Sequence, residues 1–234
     1  MFRAVVNSEG PFTMTDSAAG RRRKLPEKEQ LSRDAWLDAA QAAIVEGGFD
    51  NVRVLMLAKK LGVTRGSFYW HFKDHQDLIT SFLERWRERR LRELSNWRPQ
   101  GGDVEAELHR ILGMLLSETG RHLRRMRVEL AVRDLARRDA FAAEVVAEVD
   151  RARIAQNQQT LEQIADDPSG ARDLSLLLYV ATVGAQLVMT GPAADESTAA
   201  RIEKLIANLV LEWHKRGGGE LLPADSPTKQ NRPS

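Results

Sequence analysis

The chain has 234 residues, with 35 Lys and Arg against 33 Asp and Glu, so its formal net charge is only +2. Hydrophobic residues make up 42% of it, which is enough for a core and excludes a chain that is disordered or collagen-like throughout. Cysteine is absent, which excludes disulfide frameworks, cysteine-ligated metal centres and thiol nucleophiles.

Residues 1–30 are predicted to be a flexible arm, because they contain Gly, Pro and small polar residues without apolar periodicity. A basic cluster, residues 21–24, ends the arm. It either contacts DNA phosphates or the minor groove, or belongs to a solvated tail. A secretory signal begins with positive charge and continues with a longer apolar run, whereas here the basic cluster follows a weak apolar stretch. We therefore expect a cytoplasmic protein. Translation starts at Met1 or at Met14; the sequence leaves both open.

Four helices are predicted in residues 31–85. Ser32 is the expected N-cap of the first, and Gly47-Gly48 ends it. The second spans about 54–61 and is broken by Gly62. Thr64 is expected to cap the third, from Arg65 to about Phe72. A fourth helix, capped by Asp74, is predicted to continue to about residue 98.

Four or five longer helices are predicted after the glycine pair at 101–102, and no strand-like alternation is found. Their expected spans are 103–119, 121–137, 139–166, 171–190 and 196–216. The predicted fold class is therefore all-α, with a helix-turn-helix domain at 31–85 and a larger helical bundle at 103–216. Residues 217–234 are predicted to be a disordered tail.

The second and third helices, with their glycine turn, form a candidate helix-turn-helix. If Phe68 and Phe72 point into the core, Gly66, Ser67, Tyr69 and Trp70 cover the outer surface. Arg65 suits a bidentate contact with guanine, whereas Tyr69 and His71 suit phosphates. Residues 1–100 contain 18 Lys and Arg against 13 Asp and Glu, whereas the remainder contains 17 against 20. This bias favours DNA binding by the first part, although a solvated surface has the same composition.

These residues resemble the TetR family of transcriptional regulators. The resemblance covers about 31–85 and depends on Gly48-Phe49, Leu57-Ala58, Gly62-Val63-Thr64 and the segment 68–72, FYWHF. It implies a dimeric DNA-binding regulator, usually a repressor, whose C-terminal domain binds a small effector and releases DNA. Two positions depart from the family pattern: Arg53 replaces a Ser or Thr that opens helix 2, and His75 replaces a Lys near the start of helix 4. The predicted DNA-binding residues are Arg33, Arg53, Thr64, Arg65, Gly66, Ser67, Tyr69, Trp70, His71 and His75.

The span 174–194 has no charged residue, so a membrane helix has to be considered. Polar residues interrupt the span and Gly191-Pro192 ends it early, so burial between protein helices is the better interpretation. The last helix carries a broad apolar stripe, and two helices from each of two subunits would form a four-helix dimer interface. The predicted interface residues are Leu187, Ile202, Leu205, Ile206, Leu209 and Trp213.

Polar residues within the apolar helices are the candidates for binding an effector. Each has a structural alternative: Thr182 and Gln186 as hydrogen-bonding groups at the dimer interface, Tyr179 as a core residue, and Arg133 as a salt-bridge partner. The candidates are His109, Arg133, Asn157, Tyr179, Thr182 and Gln186.

No catalytic residues, metal site or cofactor are predicted, because none of the five histidines forms a metal-binding pair and nucleotide-binding and hydrolase motifs are missing. The predicted partners are double-stranded DNA with a palindromic operator, a small-molecule effector and a second copy of the chain. The alternative function is that of an architectural protein that binds DNA without sequence preference.

Overall fold

The computed structural model describes residues 31–96, 106, 120–164, 166–191 and 195–221. The regular elements formed by these residues are helical, which confirms the all-α prediction. Three α-helices and two 3-10 helices form the N-terminal part. In chain order they are α1 (Arg33–Gly47), a 3-10 helix (Phe49–Asn51), α2 (Val54–Leu61), a second 3-10 helix (Arg65–Trp70) and α3 (His75–Asn96).

Local signals set the ends of these helices where the sequence predicted them. The Ser32 hydroxyl accepts a hydrogen bond from the backbone N–H of Ala35 at 3.2 Å, and Asp74 accepts one from Asp77 at 2.8 Å. Gly48 and Gly62 end α1 and α2 at φ values of 72° and 68°, where a side chain would strain the backbone.

The second 3-10 helix is fixed to the rest of the domain by aromatic packing. Phe68 is fully buried and meets Trp36 of α1 edge to face, with ring centroids 5.4 Å apart. Phe72 stacks on Phe68 at 5.3 Å, and the Phe49–Phe82 pair extends the core to α3. This core therefore determines which residues of the short helix face solvent.

Four further α-helices follow. They are α4 (Gly120–Leu135), α5 (Ala140–Ile164), α6 (Ala171–Met189), which is preceded by a 3-10 turn at Pro168–Gly170, and α7 (Glu196–Lys215). The N-terminal core continues through Val132 of α4 to Val149 of α5. Smaller clusters join α6 to α7, including one around Ile206. The predicted helix 103–119 and the arm 1–30 lie outside the described residues.

The prediction of an α-helix from Arg65 to about Phe72, capped by Thr64, is wrong. The segment is a 3-10 helix of six residues, and the Thr64 side chain makes no capping hydrogen bond. Instead the Thr64 carbonyl accepts from the Ser67 backbone N–H at 3.1 Å and from the Ser67 hydroxyl at 2.6 Å. A Ser that competes for this carbonyl, a Gly at position 66 and three consecutive aromatic residues all disfavour an α-helix.

The prediction that the chain is disordered from Gly217 is wrong for residues 217–221. The Gly217 carbonyl accepts from the backbone N–H of Asp167 at 2.6 Å, and Gly219 donates to the Asp167 carbonyl at 2.8 Å. A Cβ on Gly170 would lie 1.9 Å from the Gly219 carbonyl oxygen, so only glycine permits this approach. Residues 222–234 lie outside the described part of the chain.

Candidate nucleic-acid interface

The 3-10 helix Arg65–Trp70 presents an exposed surface of polar and aromatic groups. Tyr69 is 53% exposed and Trp70 is 79% exposed, although both follow the buried Phe68 within two residues. Exposing a large aromatic side chain to water is unfavourable, so such a patch is typical of a binding surface. The predicted burial of Phe68 and Phe72 and the exposure of Gly66, Tyr69 and Trp70 are confirmed, whereas Ser67 is half-buried.

Arg65 and Tyr69 lie side by side on this surface. The Arg65 Nη2 donates a hydrogen bond to the Tyr69 hydroxyl at 3.2 Å, one helical turn along the chain. This places a guanidinium fork and a phenol hydroxyl together at the exposed edge of the domain. The Arg65 guanidinium matches the two hydrogen-bond acceptors of guanine, and the Tyr69 hydroxyl can donate to a phosphate oxygen.

Gly66 leaves the backbone accessible between these side chains. A Cβ at this position would meet only the Thr64 hydroxyl, at 3.7 Å, so nothing within the chain requires glycine there. An absent side chain allows another molecule to approach the backbone closely. Thr64 is also exposed, and Ser67 is half-buried.

The remaining predicted DNA-binding residues flank this surface, and several have partners within the chain. Arg53 is the N-terminal flanking residue of α2, and its Nε donates to the Asp50 carbonyl at 3.2 Å. Arg33 donates to the Ser81 hydroxyl, with its guanidinium 5.0 Å from the ring centre of Phe72. His71 is half-buried at the end of the 3-10 helix.

His75 is held by the protein itself. Its Nε2 donates to the Val52 carbonyl at 2.6 Å, so the ring ties the start of α3 to the turn before α2. Lys73, two residues earlier, was not among the predicted residues, although it is exposed in the link between the 3-10 helix and α3.

Two of the predicted effector residues have ionic or hydrogen-bonding partners within the chain. Arg133 makes ion pairs with Glu129 at 2.9 Å and Asp150 at 2.6 Å, the alternative that the sequence had left open. The Thr182 hydroxyl donates to the Leu178 carbonyl at 2.8 Å. Asn157 is half-buried in α5, and His109 lies outside the described residues.

Tyr179 and Gln186 have different surroundings. Burial of the Tyr179 hydroxyl and its hydrogen bond to Asp150 raise the pKa of Tyr179 to about 12. Gln186 has a buried Oε1 atom without a hydrogen-bond partner, an acceptor that folding leaves unsatisfied. Among the predicted effector residues that the structure describes, Gln186 is therefore the one whose side chain offers a buried acceptor to a ligand.

A buried ionic cluster joins α4 and α5, and of its members the sequence pointed only to Arg133, as a salt-bridge partner. Glu129, only 2% exposed, accepts hydrogen bonds from both Arg133 and Arg153, the latter at 2.7 and 2.8 Å. Burial by itself raises the pKa of this carboxyl, but the Arg153 hydrogen bonds and the surrounding positive charges outweigh it and lower the pKa to about 2. The spacing of four residues between Glu129 and Arg133 was the available signal.

The predicted interface residues fall into two groups. Ile206 and Trp213 are buried within the chain, Ile202 packs against the same α6 and α7 cluster, and the Trp213 indole donates to the Gly219 carbonyl at 2.8 Å. These three therefore stabilise the subunit itself, because α6 and the residues after α7 cover them. By contrast, three predicted residues are well exposed: Leu187 (63%), Leu205 (62%) and Leu209 (38%).

Helix α6 contains most of the uncharged span that the sequence analysis considered as a membrane helix. The segment Pro168–Met189 is long and apolar enough to cross a membrane, although only 22% of it is buried within the chain. It packs against α5 and α7 along one side. Among the residues that the structure describes, no group of His, Asp and Glu side chains is arranged to hold a metal ion.

Known proteins with similar sequences are DNA-binding regulators. Residues 37–81 match the family described as bacterial regulatory proteins, tetR family. The chain is 39% identical over 62 residues to the HTH-type transcriptional regulator AcrR of Shigella flexneri, covering 26% of this chain and 29% of that protein. It is 32% identical over 62 residues to the regulator TtgR of Pseudomonas putida, covering 26% of this chain and 30% of the relative. The matches thus span less than a third of either relative.

Solved structures extend the likeness to the fold of the C-terminal helices. A transcriptional regulator from Rhodococcus superposes with a TM-score of 0.67 at 21% identity, covering 78% of this chain and 97% of that one. A regulator from Saccharomonospora viridis, solved in complex with choline, has a TM-score of 0.62 at 20% identity over 76% of this chain and 95% of its own. The predicted architecture, a helix-turn-helix followed by a larger helical domain, agrees with these neighbours.

Proposed function

We propose that this chain, whose residues 37–81 match the tetR family of bacterial regulatory proteins, is a cytoplasmic, sequence-specific repressor of transcription. It binds a palindromic operator as a homodimer and leaves it when a small effector binds. The observation that carries the proposal is the exposed surface of the Arg65–Trp70 helix, where Arg65 and Tyr69 lie together above two buried Phe residues.

In this proposal the 3-10 helix enters the major groove and its side chains divide the work. The Arg65 guanidinium reads a base edge, and Tyr69 donates to a phosphate. Gly66 lets the backbone approach the DNA, and Arg53 supplies charge at the start of α2. The Phe68 and Phe72 anchors keep this surface rigid, so little entropy is lost when DNA binds.

The first experiment is selection of fragmented genomic DNA by the purified full-length protein at physiological salt. We expect a palindromic motif and discrimination of about a thousandfold or more against random DNA. Retention without any motif, lost as the salt concentration rises, would instead favour the architectural alternative.

Variants of the two central residues then test their assigned roles. Arg65→Ala should reduce discrimination between operator and random DNA by about five- to 150-fold, the value of one bidentate contact. Tyr69→Ala should weaken binding to both DNAs equally and leave the salt dependence unchanged, because the lost side chain is uncharged. Arg151→Ala, an exposed arginine of α5, is the matched control. Equal losses on operator and random DNA for Arg65→Ala would refute the base contact.

The dimer is proposed on the exposed apolar side chains of α6 and α7. Leu187 and Leu205 are each more than 60% exposed in the single chain, and further apolar residues of α6 are exposed with them. A patch of this kind needs a partner, and a second copy presents the same patch across a two-fold axis. Leu187→Glu should convert the dimer to a monomer in analytical ultracentrifugation and abolish operator binding. A dimer that persists would place the interface elsewhere.

The effector is proposed to bind in the C-terminal domain, with the buried Gln186 Oε1 as a polar anchor. Gln186→Leu should leave operator affinity unchanged and weaken the response to effector, once a compound that releases operator DNA has been found by screening. An unchanged response would remove Gln186 from the site.

A further inference from the structure

A cavity lined by arginines lies between α1, α3 and α4, apart from the helix-turn-helix surface and from the described candidates for effector binding. Its volume is about 460 Å³, within the range of small-molecule sites. Phe82, Trp86 and Val128, all buried, form its apolar lining. Its polar lining consists of Gln41 and five arginines: Arg85, Arg89, Arg90, Arg124 and Arg125.

The positive charge of this cavity is only partly neutralised. Arg85 pairs with Asp38 at 2.8 Å, whereas Arg90 and Arg125 share one carboxylate, Glu93, at 3.0 and 2.8 Å. Arg89 and Arg124 form no ion pair with any residue in the described part of the chain. The lining therefore carries more positive than negative charge.

Several of its guanidinium nitrogens lack hydrogen bonds. Arg90 is 6% exposed, yet its Nε has no hydrogen-bond acceptor, and the same is true of the buried Arg85 Nη2. The Arg90 Nη1 lies 3.0 Å from the Glu93 carboxylate but makes no hydrogen bond with it. Burial of Arg90 and the nearby charge of Arg125 lower the pKa of Arg90 to about 10, so it stays protonated at neutral pH. A buried, charged donor without an acceptor is costly, and an anion in the cavity removes that cost.

We propose that this cavity binds an organic anion, a carboxylate or phosphate group attached to an apolar body. The planar guanidinium fork matches the two oxygens of either head group. Phe82 and Trp86 then bury the apolar body. A ligand here contacts Gln41 of α1, the helix that packs on the buried Phe68, so the site adjoins the DNA-binding domain without being part of its surface.

Titration calorimetry with the full-length protein and no DNA tests the proposal. The probes are octanoate and octyl phosphate, with 1-octanol as the uncharged analogue and with acetate and inorganic phosphate as head groups alone. At least one of the two amphiphilic anions should bind about ten- to hundredfold more tightly than octanol, the value of charge-assisted hydrogen bonds. Acetate and phosphate alone should bind more weakly than the amphiphiles. The tighter of the two amphiphiles identifies the head group.

Variants distinguish the arginines from the apolar lining. The double variant Arg89→Gln/Arg124→Gln changes exposed side chains, so it should fold, and it should weaken anion binding about tenfold or more. Arg151→Gln, the same change on α5, should have no effect. Equal binding of octanol and octanoate, unchanged affinity in the double variant, or no binding of either amphiphilic anion would each overturn the proposal. Since no DNA is present, failure of the proposed repressor function would leave this result unaffected.

Discussion

Glu129 is the carboxylate on which two arginines of the buried cluster converge, and Glu129→Gln removes its charge while keeping its shape. Arg153 would then lose the carboxylate that it hydrogen-bonds, and Arg133 would keep only Asp150 as its ionic partner. The pKa of Glu129 is about 2 in the folded protein against 4.5 in the absence of these interactions. At about 1.4 kcal/mol for each pH unit, the difference corresponds to about 3 kcal/mol. Removal of one partner from a buried ion pair costs about the same amount, roughly 3–5 kcal/mol.

The pH dependence gives this prediction a second, independent check. The pKa of Glu129 is lowered by folding, so its stabilising effect is present above pH 4.5 and is lost as the pH falls toward about 2. The stability difference between the wild-type chain and Glu129→Gln should therefore be full near neutral pH. It should shrink as the pH falls through this window.

Urea unfolding followed by circular dichroism measures both effects, at one fixed protein concentration because the proposed dimer would contribute to stability. Glu148→Gln is the control, since Glu148 is 45% exposed and pairs with Arg87 at 3.4 Å. That variant should change the free energy of unfolding by less than about 1 kcal/mol. The cluster would contribute little to stability if Glu129→Gln lowered the free energy of unfolding by less than about 1 kcal/mol. The same would follow if the stability difference between the wild-type chain and the variant did not change with pH.

Three more predictions concern the helix-turn-helix core, its turn and Tyr179. Phe68→Ala should lower the free energy of unfolding in urea by about 3–5 kcal/mol, because it empties the site between Trp36 and Phe72. Trp70→Ala, which removes a side chain that is 79% exposed, should lower it by less than about 0.5 kcal/mol. Similar losses in the two variants would contradict the assigned core. Gly62→Ala should cost about 1–2 kcal/mol by thermal unfolding, because φ is 68° while no atom lies near the added Cβ; a neutral result would mean that the turn relaxes. Tyr69→Phe leaves Tyr179 as the one tyrosine of the chain, and its ultraviolet titration should give a pKa of about 12. Because this pKa is raised by folding, the free energy of unfolding should begin to fall as the pH rises above about 10. A titration midpoint near 10 would instead place the Tyr179 hydroxyl in solvent.

Local sequence signals were sufficient for the three α-helices of the N-terminal domain and for the side of each that is buried. Ser32, Asp74, Gly48 and Gly62 act within one turn of chain, so their caps and turns could be assigned from sequence. Apolar spacing likewise identified Phe68 and Phe72 as anchors. The same reasoning failed for the Arg65–Trp70 helix, where small competing effects at Gly66 and Ser67 decide between α and 3-10 geometry.

The sequence by itself determined that the chain is helical, that its first domain is a helix-turn-helix, and which side chains that domain exposes. Only the tertiary structure decided the pairing of Glu129 with Arg153, the burial of Trp213 under the Gly217–Gly219 turn, and the meeting of five arginines from α3 and α4 beside Gln41. The physical reason is range: capping, turns and helical periodicity act between residues that are neighbours in sequence. Ion pairs, buried tails and cavities depend instead on how distant helices pack, which no local pattern encodes.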